Sequence, residues 1–202
     1  QAKNNQSKSF RRLVFDELCA NFITLSENRK RIRKKKIPKK FDNKYTNYII
    51  EKLPFKLTQS QKKVFTEINT DLLSNNRMFR IIQGDVGSGK TIVSLLSALN
   101  VIKSGYQCAF MCPTEILAGQ HYELSKKIFK EIDLKIEFLS GKTDYKKRKE
   151  ILNKLNSGKI DFLVGTHALF QKKINFKKLG LVIIDEQHKF GVKQRSDLAK
   201  KG

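Results

Sequence analysis

The residues best suited to chemistry form one glycine-rich stretch near the middle of the chain. It reads Gly84-Asp85-Val86-Gly87-Ser88-Gly89-Lys90-Thr91 and fits the phosphate-binding loop (P-loop) pattern GxxxxGK(S/T) at every position. Glycines permit backbone torsions closed to other residues and let amide groups approach phosphate oxygens. A helix that follows the loop directs its positive end at the same anion. The motif predicts an ATP site in which Lys90 neutralises the β- and γ-phosphates and the Thr91 hydroxyl ligates Mg²⁺.

A second acidic site follows an apolar run near the end of the chain. Residues 181–184 read LVII and lead into Asp185-Glu186-Gln187-His188. A strand that ends at Asp185 brings its carboxylate to the edge where open α/β sheets bind ligands. We expect Asp185 to hold Mg²⁺ through its water shell and Glu186 to orient or deprotonate the attacking water. Acidic pairs also end strands that have no function, but the P-loop upstream favours the catalytic interpretation.

Two further polar segments begin directly after apolar runs. Residues 113–121 read PTEILAGQH, and residues 165–171 read GTHALFQ. Thr114 and Thr166 each suit the cap of a helix, and each also offers a hydroxyl and nearby amides to a phosphodiester. Residue chemistry alone favours the capping interpretation for both.

Alternating strand-like and helical segments must position these residues. Thr58 is typical of an N-cap and predicts a helix to about Leu73. Continuous apolar strands separated by helices indicate a parallel sheet covered on both faces, and therefore a three-layer α/β fold. The predicted strands are 79–83, 107–112, 135–139, 161–164 and 181–184, and the helices between them are 90–103, 115–131 and 143–157.

The chain carries a large positive charge. It has 42 Lys and Arg against 19 Asp and Glu, a net charge of +23. This surplus favours a nucleic-acid partner, although a genome biased toward lysine codons gives the same composition. Residues 9–28 predict an amphipathic helix. The basic run 29–40 (RKRIRKKKIPKK) remains open between a phosphate-contacting segment, a solvated linker and a nuclear localisation signal.

The cysteines and the hydropathy pattern bear on the compartment. Cys108 and Cys112 alternate with apolar residues, and no second Cys or His pair stands at zinc spacing. We therefore expect buried free thiols and a reducing, cytoplasmic setting. No apolar run reaches membrane-spanning length, and no hydrophobic signal core opens the chain, so we expect no membrane partner.

The motifs taken together resemble the RecG family of superfamily 2 DNA helicases. The resemblance runs from about residue 53 to 195 and rests on LPFKLT with Gln61, GDVGSGKT, PTEILAGQH, GTHALFQ and VIIDEQHKFGVKQR. The transcription–repair coupling factor motor is the next most similar family. Ser88, Glu115 and the GTHALFQ stretch favour RecG. Gly119 departs from the pattern, since we expect a larger residue there.

The resemblance implies a RecA-like first motor domain at 53–202, preceded at 1–52 by a helix and basic linker from the end of a DNA-binding wedge region. It implies an ATP-dependent enzyme that drives branch migration and fork remodelling on DNA, as a monomer with sequence-independent backbone contacts. Phe55 and Gln61 would recognise adenine, and His188 would couple the ATP site to DNA. The implied DNA contacts are Pro113, Thr114, Gln120, His121, Gly165, Thr166 and His167.

The resemblance also leads us to expect more chain than is present. The sequence does not begin with Met and ends at Gly202, before the expected Ser/Thr-Ala-Thr coupling segment and second motor domain. We expect a piece of a longer protein. Without the arginines of a second domain, it should bind ATP·Mg²⁺ weakly and hydrolyse it poorly.

Two other classes of protein fit parts of the pattern. A small-molecule P-loop kinase needs an acceptor pocket and an arginine-bearing lid. Only residues 142–149 (KTDYKKRK) suggest such a lid, and they fit the start of an exposed helix better. A catalytically silent nucleic-acid-binding module is disfavoured for the parent protein because the catalytic-type residues Lys90, Thr91, Asp185 and Glu186 are intact. For this chain by itself, it stays an open alternative.

Overall fold

The computed structural model describes residues 44–171 and 174–190, together with positions 12, 14–16, 18, 19 and 23. The helices between residues 44 and 190 are α1 (Lys44–Lys52), α2 (Gln59–Leu73), α3 (Lys90–Lys103), α4 (Glu115–Ile128) and α5 (Tyr145–Ser157). The strands are β1 (Gln107–Met111), β2 (Ile136–Leu139), β3 (Phe162–Gly165) and β4 (Leu179–Ile184). Short 3₁₀ turns span His167–Phe170 and Gln187–Lys189.

The four strands form one parallel sheet in the order β2-β3-β1-β4. β1 therefore lies inside the sheet, with Cys108 opposite Phe162 on one side and opposite Leu181 on the other. All five residues of β1 are buried, as expected for a central parallel strand covered on both faces. The carboxyl ends of β1, β3 and β4 consequently meet at one edge of the sheet.

Side chains on alternate faces of the sheet enter two separate cores. One core joins the sheet to α1, α2, α3 and α4, and the other joins it to α5 and the turn at His167–Phe170. From the strands, the first core takes Cys108, Phe110, Phe162, Val164 and Leu181, and the second takes Met111, Leu139 and Leu163. The predicted three-layer α/β fold is confirmed.

Local sequence explains where three of the helices begin. The Thr58 hydroxyl accepts from the Gln61 amide, and the Gln61 side chain accepts from the Thr58 amide, which completes a capping box at α2. Thr114 caps α4 by accepting from the Leu117 amide. Asp144 caps α5 by accepting from the amides of the first helical turn. Capping thus satisfies amides that a helix start leaves without partners.

The predicted strand at 79–83 is wrong. These residues have no regular secondary structure, and the Phe79 and Ile81 side chains are 64% and 63% exposed. An extended segment becomes a strand only when a neighbour supplies its ladder hydrogen bonds. Within the described residues β4 pairs only with β1, and no strand pairs with 79–83. Apolar composition alone was therefore not sufficient to predict a strand.

Helix α1 was not predicted from the sequence. It packs on α3, with Ile49 in the core and only 2% exposed. The buried Thr46 hydroxyl donates to Asn100, whose side-chain amide donates to Asn69 Oδ1 at 3.1 Å. Residues of the predicted N-terminal segment thus join the core, and the domain division after residue 52 stays a prediction.

The rest of the N-terminal region is described only in part. Positions 12, 14–16, 18, 19 and 23 are helical, in agreement with the helix predicted at 9–28. The basic run 29–40 lies outside the described residues. In the part of the chain that is described, no helix is long and apolar enough to cross a membrane.

The close approach of β2 and β3 generates a stability prediction. A Cβ at Gly165 would overlap the backbone carbonyl of Leu139, whereas one at Gly119, within α4, would meet nothing within 4 Å. We expect Gly165→Ala to lower the free energy of unfolding by about 1–3 kcal/mol. Gly119→Ala should raise it by about 0.5–1 kcal/mol because alanine favours helix.

Urea denaturation followed by circular dichroism measures both values. Equal effects of the two substitutions would contradict the steric explanation for Gly165.

Candidate active site

The P-loop is the connection that leads into α3. Gly87 and Gly89 have φ angles of +82° and +80°, torsions that disfavour any residue with a side chain. Gly89 is the residue that precedes the first turn of α3, so the helix begins at Lys90. Val86 is fully exposed at the tip of the loop. The loop therefore presents glycine backbone and a helix N-terminus to solvent, as a phosphate site requires.

Lys90 lies across the loop that it belongs to. Its ammonium group donates to the carbonyls of Gly84 and Asp85 at 2.7 Å each and lies 3.5 Å from the Ser88 hydroxyl. The loop thus holds a positive charge at its centre. A triphosphate bound here would meet that charge, so the loop fits the predicted anion. Thr91 follows in the first turn of α3 and is partly buried.

Gln61 connects α2 to the P-loop. Its side-chain amide donates to the Ser88 carbonyl at 2.8 Å, while its carbonyl completes the cap of α2. A Cβ at Gly89 would overlap the same Gln61 amide, so a larger residue there would displace that side chain from the loop. Phe55, the other predicted adenine contact, is 49% exposed. Both residues stay predicted contacts of the base.

Asp185 begins where β4 ends. Its amide donates to the Met111 carbonyl at 2.8 Å, which continues the β1–β4 ladder by one residue. The His121 ring lies 3.0 Å from Oδ2, and the Glu186 amide donates to Oδ1 at 3.0 Å. The His121 contact, helped by the Glu186 amide and the Lys90 charge, holds the pKa of Asp185 below its ordinary value of 3.8. Asp185 is therefore a carboxylate at neutral pH.

Glu186 has an unusual backbone conformation. Its φ of 47° lies in the left-handed region. Among the described residues, it is the one non-glycine residue with such a torsion. Such a torsion costs about 1–3 kcal/mol and is found most often at functional sites. The strained residue is exposed and is the one predicted to act on water. His188 lies in the following 3₁₀ turn, and its side chain is outside what the structure describes.

Cys112 was not predicted to belong to this site. It follows β1, is fully buried and is a free thiol, as the sequence indicated. Burial and the nearby Asp185 carboxylate raise the pKa of this thiol to about 12. No sequence pattern indicates this proximity, because Cys112 and Asp185 are brought together by strand pairing.

The predicted DNA contacts differ in exposure. Gln120 and His167 are exposed, and Pro113 and Thr114 lie at or near the surface at the start of α4. Gly165 and Thr166 are buried, and Thr166 is only 2% exposed.

Thr166 and His121 do not point to solvent as simple phosphate contacts would. The Thr166 hydroxyl makes no cap hydrogen bond and has no hydrogen-bond partner among the described atoms. The His121 ring lies against Phe110, with 4.7 Å between the ring centroids, and faces Asp185.

Side chains from the β2–α5 connection and from the first turn of α5 link the two predicted DNA-contacting loops. Lys142 forms an ion pair with Glu115 at 3.1 Å, and the Ser140 hydroxyl and Lys142 together lower the pKa of Glu115. Arg148 donates to Gln171 in the other loop. Loops 113–121, 140–149 and 165–171 therefore form one continuous surface. The sequence indicated the lysines of 142–149 but not this position.

Comparison with known proteins agrees with the fold and the motifs. The family model of the DEAD/DEAH box helicases matches residues 58–201, so the chain belongs to that family. The chain is 48% identical over 193 residues to the ATP-dependent DNA helicase RecG of Aquifex aeolicus. That alignment covers 95% of this chain and 24% of the Aquifex protein. The RecG of Thermotoga maritima is 45% identical over 196 residues, covering 96% and 25% of the two chains.

A solved structure of RecG bound to a three-way DNA junction superposes with a TM-score of 0.81 at 43% identity. The alignment covers 90% of this chain and 25% of that one. The predicted RecG resemblance is confirmed. The chain spans about a quarter of the length of the relatives it matches.

The His121–Asp185 contact predicts a measurable change in acidity. His121→Ala removes the largest cause of the lowered Asp185 pKa, so that pKa should rise. Carboxyl ¹³C NMR titration measures it directly. His167→Ala is the matched control, because that histidine is exposed on the neighbouring turn. An Asp185 pKa that rises equally in both variants would contradict the assignment.

The same contact fixes the sign of a pH effect on stability. The folded-state pKa lies below the unfolded value, so the ionised Asp185 stabilises the fold above pH 3.8. This contribution is lost as the pH falls through the folded-state pKa. The stability difference between wild type and His121→Ala should therefore shrink on acidification.

Proposed function

We propose that this chain is the nucleotide-binding part of an ATP-dependent DNA helicase or translocase of the RecG type. In the longer protein, ATP hydrolysis would drive branch migration and fork remodelling in recombination and repair. We further propose that the protein is monomeric and cytoplasmic and that it contacts the DNA backbone without sequence preference.

One observation carries the proposal. Helix α3, which begins at Lys90, packs against β4, which Asp185 follows, although the two residues are 95 positions apart. The Lys90 charge also contributes, less than His121 does, to the lowered pKa of Asp185. This supports a single site made of the P-loop and the end of β4, as ATP hydrolysis requires. Asp185 and Glu186 are adjacent there, one held by His121 and the other in a strained, exposed conformation.

The residues divide the work of hydrolysis among them. Lys90 exchanges its two carbonyl contacts for the β- and γ-phosphates, and the P-loop amides bind the same oxygens. Thr91 and Asp185 would hold Mg²⁺, which neutralises charge that develops on the phosphates. Glu186 orients the attacking water and accepts its proton.

We expect this chain to hydrolyse ATP slowly. Fast phosphoryl transfer needs an arginine that stabilises the transition state, which contributes roughly 10³–10⁵ in rate. Among the described arginines, Arg80 pairs with Glu67 and Asp71. Arg12 pairs with Asp16, and Arg148 donates to Gln171. These three guanidinium groups are therefore engaged by other side chains.

The DNA would lie across the surface formed by loops 113–121, 140–149 and 165–171. These loops lie at the same edge of the sheet as Asp185. A change in the position of Asp185 on ATP hydrolysis would therefore be passed to the DNA-contacting loops. Lys146 and Lys147 are exposed there, at the amino end of α5. Lysines that contact DNA phosphates would bind DNA without sequence preference.

The nucleotide site is tested by binding and turnover measured separately. We expect a fluorescent ATP analogue to bind with Mg²⁺ dependence. Lys90→Ala should weaken binding by at least about tenfold, because a charge-assisted contact is lost. Lys103→Ala, at the far end of the same helix, should leave it unchanged.

Turnover of wild type, with and without branched DNA, should stay far below that of an intact helicase, and Glu186→Gln should abolish what remains. Brisk Glu186-dependent turnover would show that the arginine argument is wrong. It would favour a self-sufficient P-loop enzyme.

The DNA surface is tested by the salt dependence of binding. Lys146→Ala with Lys147→Ala should reduce the slope of log K against log salt by about 2 on duplex DNA, since each phosphate contact contributes about 0.9. Lys130→Ala with Lys159→Ala removes the same charge from exposed positions after the ends of α4 and α5, at the opposite edge of the sheet. An equal change in both double variants would mean that only net charge matters.

A further inference from the structure

Three side chains of metal-ligand type converge next to the P-loop. They are Cys112 after β1, His121 within α4 and Asp185 after β4. One ligating atom of each, a sulfur, a ring nitrogen and a carboxylate oxygen, lies within 4.8 Å of the other two. The sequence separates them by up to 73 positions, so no spacing pattern could have indicated the cluster.

The distances suit a small tetrahedral cation. Zinc bonds of about 2.0–2.3 Å place neighbouring tetrahedral ligands roughly 3.3–3.7 Å apart. His121 Nε2 and Asp185 Oδ2 are 3.0 Å apart, and no pair of ligating atoms exceeds 4.8 Å, so the widest pair needs to close by at most about 1.5 Å. A side-chain rotation is sufficient for such a movement.

We propose that this cluster is a binding site for a thiophilic divalent cation of the Zn²⁺ type. Cys112 Sγ, His121 Nε2 and Asp185 Oδ2 are the protein ligands, and water occupies the fourth position. The thiol loses its proton to solvent as the metal–sulfur bond forms. Sulfur and imidazole favour Zn²⁺ over Mg²⁺, which prefers oxygen ligands in an octahedral arrangement.

The scaffold holds the backbones of Cys112 and Asp185 and the ring of His121 in place before any metal binds. The Cys112 amide donates to Gly165 at 2.9 Å and the Asp185 amide donates to Met111 at 2.8 Å, so both backbones belong to the sheet ladder. The His121 ring is fixed by Phe110. The side chains of His121 and Asp185 are 13% and 30% exposed, which leaves an approach from the solvent side.

Metal binding at this cluster has a consequence for the nucleotide site. It engages the Asp185 carboxylate, the same group that the proposed function assigns to Mg²⁺. The cation and Mg²⁺·ATP should therefore oppose each other. This consequence, unlike the site itself, rests on the proposed function.

The site is tested with Cd²⁺, whose bond to a thiolate gives a near-ultraviolet charge-transfer band. The titration uses the full chain without nucleotide or DNA, in a Cys19→Ser background. Cys108→Ala is the matched control for Cys112→Ala, because Cys108 is equally buried in β1 but its sulfur contacts the Ala98 carbonyl. Circular dichroism checks that each variant is folded.

We expect one equivalent of Cd²⁺ to produce the band in the background protein and in Cys108→Ala. Cys112→Ala should lose the band, and His121→Ala should weaken binding by more than about tenfold. Absence of the band in the background protein, or its retention in Cys112→Ala, overturns the site.

A second titration tests the opposition between the metals. Zn²⁺ should weaken Mg²⁺-dependent binding of the ATP analogue in the Cys19→Ser background but not with Cys112→Ala added. Equal weakening in both would mean that Zn²⁺ acts on the nucleotide alone, and the opposition would be rejected. Because Cd²⁺ binding needs no nucleotide, failure of the proposed function leaves the first result interpretable.

Discussion

The placement of β1 between β3 and β4 is the constraint on which the rest of the structure depends. Parallel pairing on both sides brings three carboxyl ends to one edge, and each ends in polar residues that the chain keeps far apart. The ladder continues past the strands through the Cys112 and Asp185 amides. Backbone hydrogen bonds therefore position the site, and side chains only complete it.

Helix packing transmits that order to the P-loop. α3 contributes ten buried residues and lies against the sheet and against α2. Since Gln61 on α2 donates to the Ser88 carbonyl, the loop is held from a second direction. Lys90 meanwhile satisfies two loop carbonyls with its own ammonium group. In the proposed ATP site, phosphate binding would replace existing contacts rather than order a free loop, which would reduce the entropy that binding must overcome.

Prediction from the sequence succeeded where the pattern that identifies a feature lies within one short segment of the chain. The P-loop, the cap at Thr58 and the strands of continuous apolar character are local patterns, and each was found within a few residues. It failed at 79–83, where a partly apolar run pairs with no strand in the described residues. It also missed α1, whose burial depends on the distant Asn100. In both cases a tertiary neighbour, rather than composition, decides the outcome.

The sequence by itself determined the class of chemistry, because P-loop and Asp-Glu motifs specify local backbone and functional groups. It also determined the fold class through the alternation of strands and helices. Only the tertiary structure decided which side chains share the site. It turned His121 toward Asp185, brought Cys112 beside both, and joined two loops through Lys142 and Arg148. The physical reason is that strand order and register, which set these contacts, depend on pairings between segments far apart in the chain.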